Sequence, residues 1–398
     1  MNILFVSAVL PYPLHSGGQI RIYNLLKRLS VRHKITLVSF IRSEQELKYQ
    51  KNLDFCHGIH MVMRGRAWQM DYVAKAVFGA YPFLLATYDN SLMRETLRRL
   101  ANSSSFDVMH LEPFYVWPSV PDVSIPIVVS EHNIEYDVYN AYVQRFPIPI
   151  LKPFLAWDVA KLKNWERLAW RKADQVTAVS DTDAATISDY LSHPITVVPN
   201  GVDIRAFPLR KMVKHTHPTI LFVGNFRWHP NRDAARFLIG DIWPALKRRL
   251  PSARLRIVGR DVPSALRAKV LRLGGVVREE VSDIATAYRS ADMLVAPHAI
   301  AGGTKFKMLE AMATGIPIVT SPKGAEGLAM EPNKHYLEAQ TAQEFVAQIL
   351  TLWDNRSLAQ AIARQGRSLV EARYNWDDIA RLLDGVWRNA YDQRQKSN

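Results

Sequence analysis

The sequence predicts an α/β protein in which two parallel-sheet domains follow one another and a helical tail closes the chain. Three observations predict it. Short apolar runs of strand length alternate with amphipathic helical stretches almost throughout; the alternation breaks at a polar, basic, proline-terminated run at 210–218 and then restarts; and residues 341–395 carry helical periodicity alone. Continuous apolar strands alternating with helices belong to parallel sheets covered on both faces. A chain of 398 residues has room for two domains of ordinary size.

The elements follow in order. The first apolar run, 3–9, starts almost at Met1, lacks the basic flank of a signal peptide and reads as a buried strand. Further strands are expected at 35–40, 57–63, 106–111, 125–130, 175–179 and 195–198, with helices at 20–30, 92–101 and 153–172. The run 210–218 reads as an interdomain linker. Strands then resume at 219–223, 254–258, 275–277, 293–296 and 316–320. The expected division is an N-terminal Rossmann-like domain, 1–205, a C-terminal Rossmann-like domain, 206–375, and a helix, 376–398, crossing back to the first domain.

Composition narrows the classes of partner. Hydrophobic residues make up 48% and charged residues 22%, an ordinary globular balance. The single cysteine, Cys56, leaves no intramolecular disulfide or thiolate cluster, and the reducing cytoplasm fits. No run approaches the ~20 apolar residues of a transmembrane helix. Lys and Arg number 51 against 37 Asp and Glu, a net charge of +14. That excess favours anionic partners, whether nucleic acid, membrane lipid or phosphorylated small molecules, without choosing among them. The sequence contains no zinc finger or aromatic single-strand platform, so no nucleic-acid module is expected.

Ligands of open α/β sheets bind beyond the carboxyl ends of the strands, so the loops that follow strands carry the candidate chemistry. After the strand at 293–296 come Gly302, Gly303, Thr304 and Lys305, then a helix bearing Glu310. Glycines admit a close anion, Thr304 is a plausible N-cap, and free amides at a helix start attract phosphate. Lys305 adds a point charge, and the Glu310 carboxylate suits ribose hydroxyls. A glycine turn before a solvated helix explains the same residues. The loop after the first strand holds Pro11, Pro13, Gly17, Gly18 and Arg21, and a plain turn also accounts for it. After the strand at 125–130 come Glu131, His132, Asn133 and Glu135, residue types that handle hydroxyls and protons, although a single histidine is as often structural. Asp181 and Asp183 resemble an Asp-x-Asp metal motif. They also follow Ser180 at the start of a helix, where Ser180 and Asp183 have capping spacing, and capping is the preferred reading. No metal site is expected; His215 and His217 fall in the polar run.

Together these loops resemble the GT-B fold, two Rossmann-like domains facing a central cleft, and within it the retaining glycosyltransferase family four. The resemblance rests on Pro13, Gly17, Gly18 and Arg21; on Asp107-Val108-Met109-His110; on Pro199-Asn200-Gly201-Val202-Asp203; on Phe222-Val223-Gly224 with Asn231 and Asp233; and on Leu309-Glu310-Ala311-Met312-Ala313 followed by Gly315 and Pro317. It implies that the first domain binds the acceptor and the second a nucleotide sugar. It also implies that Glu310 binds the donor ribose, that His132 lies near the donor sugar, and that Gly17 and Gly18 line the diphosphate. Two positions depart from the family: Gly302 stands where many members carry a second glutamate, and Asn225 and Pro230 stand where many carry Arg and Lys. The chain thus resembles a Gly-Gly-Thr-Lys subgroup linked to polysaccharide assembly, in which Lys305, helped by Arg227, takes over the diphosphate.

The implied reaction is hexosyl transfer from a UDP- or GDP-linked sugar to a hydroxyl of a sugar or lipid-linked sugar acceptor. Retention, a metal-free leaving group and domain closure that excludes water are expected with it. His132, Lys305 and Glu310 are the expected catalytic residues. Gly17, Gly18, Arg227, Gly302, Gly303, Thr304, Lys305 and Glu310 are the expected donor contacts. A nucleotide-sugar epimerase on the same fold is the alternative. Lipid-linked acceptors and the +14 charge lead to an expected peripheral contact with the inner face of an anionic membrane. The expected contact segments are 61–88 and 145–172, with Trp68, Tyr72 and Ala76 on one inserted helical face.

Overall fold

Seven strands of the first half pair side by side, all parallel, in the order β3-β2-β1-β4-β5-β6-β7. They are β1 (Asn2–Ser7), β2 (Lys34–Ile41), β3 (Gly58–Met63), β4 (Val108–Glu112), β5 (Ile127–Ser130), β6 (Gln175–Ala178) and β7 (Thr196–Val197). The second half forms a six-stranded parallel sheet in the order β10-β9-β8-β11-β12-β13. Its strands are β8 (Thr219–Asn225), β9 (Arg254–Arg260), β10 (Val276–Glu279), β11 (Met293–Ala296), β12 (Ile318–Thr320) and β13 (Leu337–Glu338). The computed structural model describes residues 1–64, 69–103, 105–191, 194–210, 216–279, 281, 283–299 and 306–397.

Both sheets reverse their winding beside the first strand, and that is where their ligand-facing loops gather. In the first sheet the reversal separates β1 from β4; in the second it separates β8 from β11. The inner strands are buried on both faces, as their unbroken apolar runs require: Ile3, Leu4, Phe5 and Val6 are all buried, as are Ile220, Leu221 and Phe222. The two-residue strand β13 escaped the sequence reading because Leu337–Glu338 stands in no continuous apolar run, unlike the equally short β7, whose neighbours at 195 and 198 are apolar.

The chain divides into Met1–Pro199 with Asp377–Asn398, and Asn200–Trp376. The first boundary thus falls six residues before the expected 205/206. Val202 explains the difference: it is buried in the second unit, and its amide donates to the Tyr374 carbonyl at 2.9 Å. The run 210–218 is accordingly not the linker. Arg210 is buried within the second unit, where its amide donates to the Thr314 carbonyl at 2.9 Å and its guanidinium pairs with Asp292 at 3.5 Å. Residues 211–215, including His215, lie outside the described residues. The tail forms three helices, Ala342–Asp354, Arg356–Arg373 and Trp376–Ser397. The last packs on the first sheet: His33 meets Asp384 at 3.0 Å, and Gln175 donates to Gln393 at 2.8 Å.

The expected membrane-facing stripe needs correction. Tyr72 and Ala76, on the helix Met70–Phe78, are buried, because the Tyr72 hydroxyl is tied to the Arg64 carbonyl at 2.9 Å; Trp68 lies outside the described residues. Trp170 also points inward and is fully buried. Among the described residues, the large apolar side chains that do face solvent are Met63, Met70 and Phe78 on one segment, and Ile148, Ile150, Leu151, Phe154 and Trp157 on the other.

Candidate active site

In the first unit the loops after β1, β4 and β5 converge on one carboxylate. β4 ends at Glu112, two residues beyond His110, so the strand's period of two brings both side chains to the same face. Glu112 is fully buried and accepts three hydrogen bonds: from Arg21 Nε at 2.6 Å, His110 Nε2 at 2.6 Å and His132 Nε2 at 2.7 Å. Burial alone would push its carboxyl up. The Arg21 guanidinium and the two histidine hydrogen bonds outweigh that and hold it well below the usual carboxylate range. Arg21 lies on the helix Gly17–Leu29, which Ser16 caps through the Gln19 amide at 3.4 Å. Its remaining donors go to the Val198 carbonyl at 2.8 Å, the Pro199 carbonyl at 3.0 Å and Ser130 Oγ at 3.2 Å. A buried guanidinium with five donors demands such partners.

His132 keeps 17% of its side chain accessible, so one edge of the ring is free for a ligand. That edge faces the start of the first helix. A Cβ at position 18 would lie 3.7 Å from His132 Cε1 and 3.8 Å from Nδ1. The structure therefore brings Gly18, Arg21 and His132 together around a carboxylate that sequence reading did not single out. The signal for Glu112 was its place two residues after His110 in the Asp107–His110 strand.

Nearby in the same unit lie two buried acids, Glu131 and Glu166, and the half-buried Glu135. Glu131 accepts from Trp170 Nε1 at 2.7 Å, while its other oxygen has no partner; burial first, and the Glu166 charge second, raise its carboxyl well above the ordinary range. Glu166 accepts from the amides of Glu135 at 2.8 Å and Tyr136 at 3.0 Å, closing the N-terminus of the helix Glu135–Gln144. Burial pushes Glu135 itself up to about 7.

In the second unit Glu310 lies on the helix Phe306–Thr314 and accepts from the Tyr288 hydroxyl at 2.7 Å. Burial raises its carboxyl against the opposing pull of that hydrogen bond and of Lys307. Lys307, which the sequence reading passed over, donates to Asn231 Oδ1 at 2.7 Å, sits 3.0 Å from His298 Nε2 and lies over the Phe222 ring. Asn231 in turn donates to the Asn225 carbonyl at 2.7 Å, so Lys307 is joined to the end of β8. That end is built for close backbone approach: a Cβ on Gly259 would fall 1.8 Å from the Gly224 carbonyl oxygen, so only glycine fits there. Arg227 is exposed on the loop after β8, where it pairs with Asp261 at 2.9 Å. Gly302, Gly303, Thr304 and Lys305, with the N-cap assigned to Thr304, lie outside the described residues.

Ser180 and Asp183 behave as a helix cap: Ser180 Oγ accepts from the Asp183 amide at 3.1 Å and donates to its carboxylate at 2.7 Å. Among the described residues no group of three or more His, Cys, Asp or Glu side chains is placed to hold a metal ion, and no helix is long and apolar enough to cross a membrane.

Comparisons with known proteins fit this geometry. Residues 15–206 match the model described as Glycosyltransferase Family 4, and residues 217–355 the model described as Glycosyl transferases group 1. The chain is 30% identical over 301 residues, 71% of each sequence, to a phosphatidyl-myo-inositol mannosyltransferase of Mycolicibacterium smegmatis. Among solved structures it resembles sucrose-phosphate synthase from Thermosynechococcus elongatus (TM-score 0.73, 16% identity, 99% of this chain and 100% of that one). It also resembles Anabaena HepE in complex with UDP and glucose (TM-score 0.66, 14% identity, 97% and 98%). With two parallel sheets of the same winding and both halves matched, the chain is a GT-B glycosyltransferase and belongs to glycosyltransferase family four.

Proposed function

We propose that this glycosyltransferase moves a hexosyl group, with retention, from a UDP- or GDP-linked sugar to a hydroxyl of a sugar or lipid-linked sugar acceptor, without a metal ion. The observation that carries the reading is the 30% identity over 71% of the chain to a phosphatidyl-myo-inositol mannosyltransferase, a hexosyl transferase named for a lipid acceptor. The structurally similar Anabaena HepE, solved in complex with UDP and glucose, supports a nucleoside diphosphate donor.

In this reading the Glu310 carboxylate accepts bonds from the donor ribose, its oxygen already oriented by Tyr288. Lys305, with the amides of Gly302, Gly303 and Thr304 at a helix start, meets the diphosphate, and Gly17 and Gly18 leave room for it. Arg227 contributes to the same field. The C1–O bond to the diphosphate breaks as the acceptor oxygen bonds to C1 from the same face, and the acceptor proton passes to the departing phosphate. Positive charge builds on the sugar ring, and His132 holds donor hydroxyls in place without forming a covalent intermediate.

The reading includes a cytoplasmic enzyme that docks reversibly on anionic lipid. Its support is the solvent-facing set of Phe78, Ile150, Phe154 and Trp157 with Lys152 and Lys161 close by in the same segments; Lys161 lies over the Trp157 ring. The experiment is a panel of UDP- and GDP-hexoses incubated with and without lipid-extract acceptors, with products followed by mass spectrometry and NMR. Retention predicts that the new linkage keeps the donor's anomeric configuration; an inverted linkage overturns it. Isomerised donor without acceptor would show an epimerase instead.

A further inference from the structure

The hydrogen bonds around Glu112 determine proton positions, because each partner's role can be worked out in turn. The carboxylate can only accept. Arg21 Nε, 2.6 Å away, can only donate. His110 is settled independently of Glu112: its Nδ1 lies 3.1 Å from Trp387 Nε1, and an indole nitrogen can only donate. Nδ1 is therefore the acceptor, and the ring proton sits on Nε2, aimed at Glu112 Oε2 at 2.6 Å. The remaining oxygen, Oε1, faces His132 Nε2 at 2.7 Å, so that nitrogen too carries a proton.

We infer that Glu112 is a positioning residue that holds His132 as its Nε2–H tautomer, so that the Nδ1 edge beside Gly18 meets the substrate as a hydrogen-bond acceptor. The inference rests on the proposed placement of the sugar against His132. It specifies the chemistry of that contact: the imidazole receives a proton-bearing hydroxyl of the sugar. A substrate group that can only accept is rejected there. The helix Trp376–Ser397 is part of the device, because Trp387 denies His110 its other tautomer and so keeps a donor on Glu112 Oε2.

The logic predicts what an amide does in place of the carboxylate. In Glu112→Gln the side-chain oxygen stays with the two groups that meet Oε1, Arg21 Nε and His132 Nε2, because Arg21 can only donate, and the NH2 group faces His110 Nε2. His110 can meet an NH2 only by giving up its Nε2 proton, which sets an Nδ1 proton against the Trp387 indole N–H. His132 keeps its Nε2 proton in this variant. Glu112→Asp acts differently: it keeps the charge but withdraws the acceptor by one methylene, so it releases His132 and lets both of its tautomers form.

The test uses the full chain labelled with 15N-histidine at a pH where the imidazoles are neutral, with the His132 signals assigned by difference against His132→Ala. The wild type should show His132 as Nε2–H, Glu112→Gln should keep it so while His110 changes tautomer, and Glu112→Asp should show a mixture at His132. In parallel, kcat should fall on the order of a hundredfold in Glu112→Asp, the loss that a misplaced reacting contact produces, with the donor KM nearly unchanged. The assay donor is UDP-glucose or GDP-mannose, whichever the panel turns over. His132 as Nδ1–H in the wild type or in Glu112→Gln overturns the inference, and pure Nε2–H in Glu112→Asp overturns it equally. If Glu112→Asp does not fold, the wild type and Glu112→Gln still decide. The tautomer readout needs no activity, so failure of the proposed sugar contact, seen as full turnover in His132→Ala, is distinguishable from failure of the positioning role.

Discussion

Glu135 is half-buried and its charged form is desolvated at a cost, so neutralising it should stabilise the protein in a way that depends on pH. Its carboxyl has one weak partner, Asn133 Nδ2 at 3.4 Å, and burial pushes it up to about 7 from an ordinary 4.5. An acid raised in the folded state binds its proton there more tightly than in the unfolded chain. Its contribution is therefore fully present below the unfolded value, and it is lost as pH rises towards about 7. At 1.36 kcal/mol per unit, a shift from 4.5 to about 7 corresponds to about 3 kcal/mol of penalty at pH 8 and about 1 kcal/mol at pH 5.5. Glu135→Gln keeps the shape and removes the charge, so it should recover most of that difference. For a unit of this size, ~1 kcal/mol moves Tm by roughly 2–4 °C. The variant should therefore melt several degrees higher than wild type at pH 8, with a gain about a third as large at pH 5.5. Paired calorimetric scans at the two pH values measure this. An equal gain at both, or none, would show that Glu135 is not the desolvated charge the fold makes it. Transfer activity should fall in the same variant, because a costly carboxylate three positions after His132, at the carboxyl end of β5, has the placement of a substrate contact rather than of a stabilising group.

Gly18→Ala should separate fold from function in the opposite sense. The added Cβ meets only ordinary contacts at 3.7 and 3.8 Å on His132, and Gly to Ala in a helix is worth ~0.5–1 kcal/mol, so Tm should hold or rise while turnover drops; full activity would remove Gly18 from the ligand surface. Glu310→Gln should weaken nucleotide binding very roughly ten- to a hundredfold, the value of a charged hydrogen bond of ~1.5–3 kcal/mol, and Tyr288→Phe should weaken it less; calorimetry with UDP and GDP decides, and unchanged affinity in Glu310→Gln excludes the ribose contact. Lys305→Ala should weaken UDP or GDP binding more than binding of the free nucleoside, and equal losses would show that Lys305 does not reach the diphosphate. Transfer should survive EDTA; activity abolished by EDTA and restored by Mg²⁺ would refute the metal-free reaction.

Much of the fold was legible because parallel strands buried on both faces must be apolar along their whole length. The runs at 35–40 and 293–296 appear as strands almost residue for residue, and the Leu309–Ala313 segment with Glu310 lies on its helix. The boundary was misread for an equally physical reason. Polarity and a proline marked 210–218 as a linker, yet Arg210 is buried because Asp292 and the Thr314 carbonyl receive it, partners far away in the sequence. The interfacial stripe failed likewise, since helical period shows which residues share a face but not what the face meets: Tyr72 and Ala76 pack inward.

The site shows the same division. By itself the sequence determined the two-sheet architecture and singled out the glycine loops, His132 and Glu310 as candidates, because these are carried by local patterns: apolar runs, turn residues at strand ends, and spacings within one loop and its helix. Only the tertiary structure decided that Glu112 joins Arg21, His110 and His132, that Trp387 sets a proton on a histidine 277 positions away, and that Tyr288 orients Glu310. A buried charge selects its partners by distance and direction in space. Those partners come from separate strands and helices, whose meeting is fixed by sheet order and packing and leaves no mark on any local stretch of sequence.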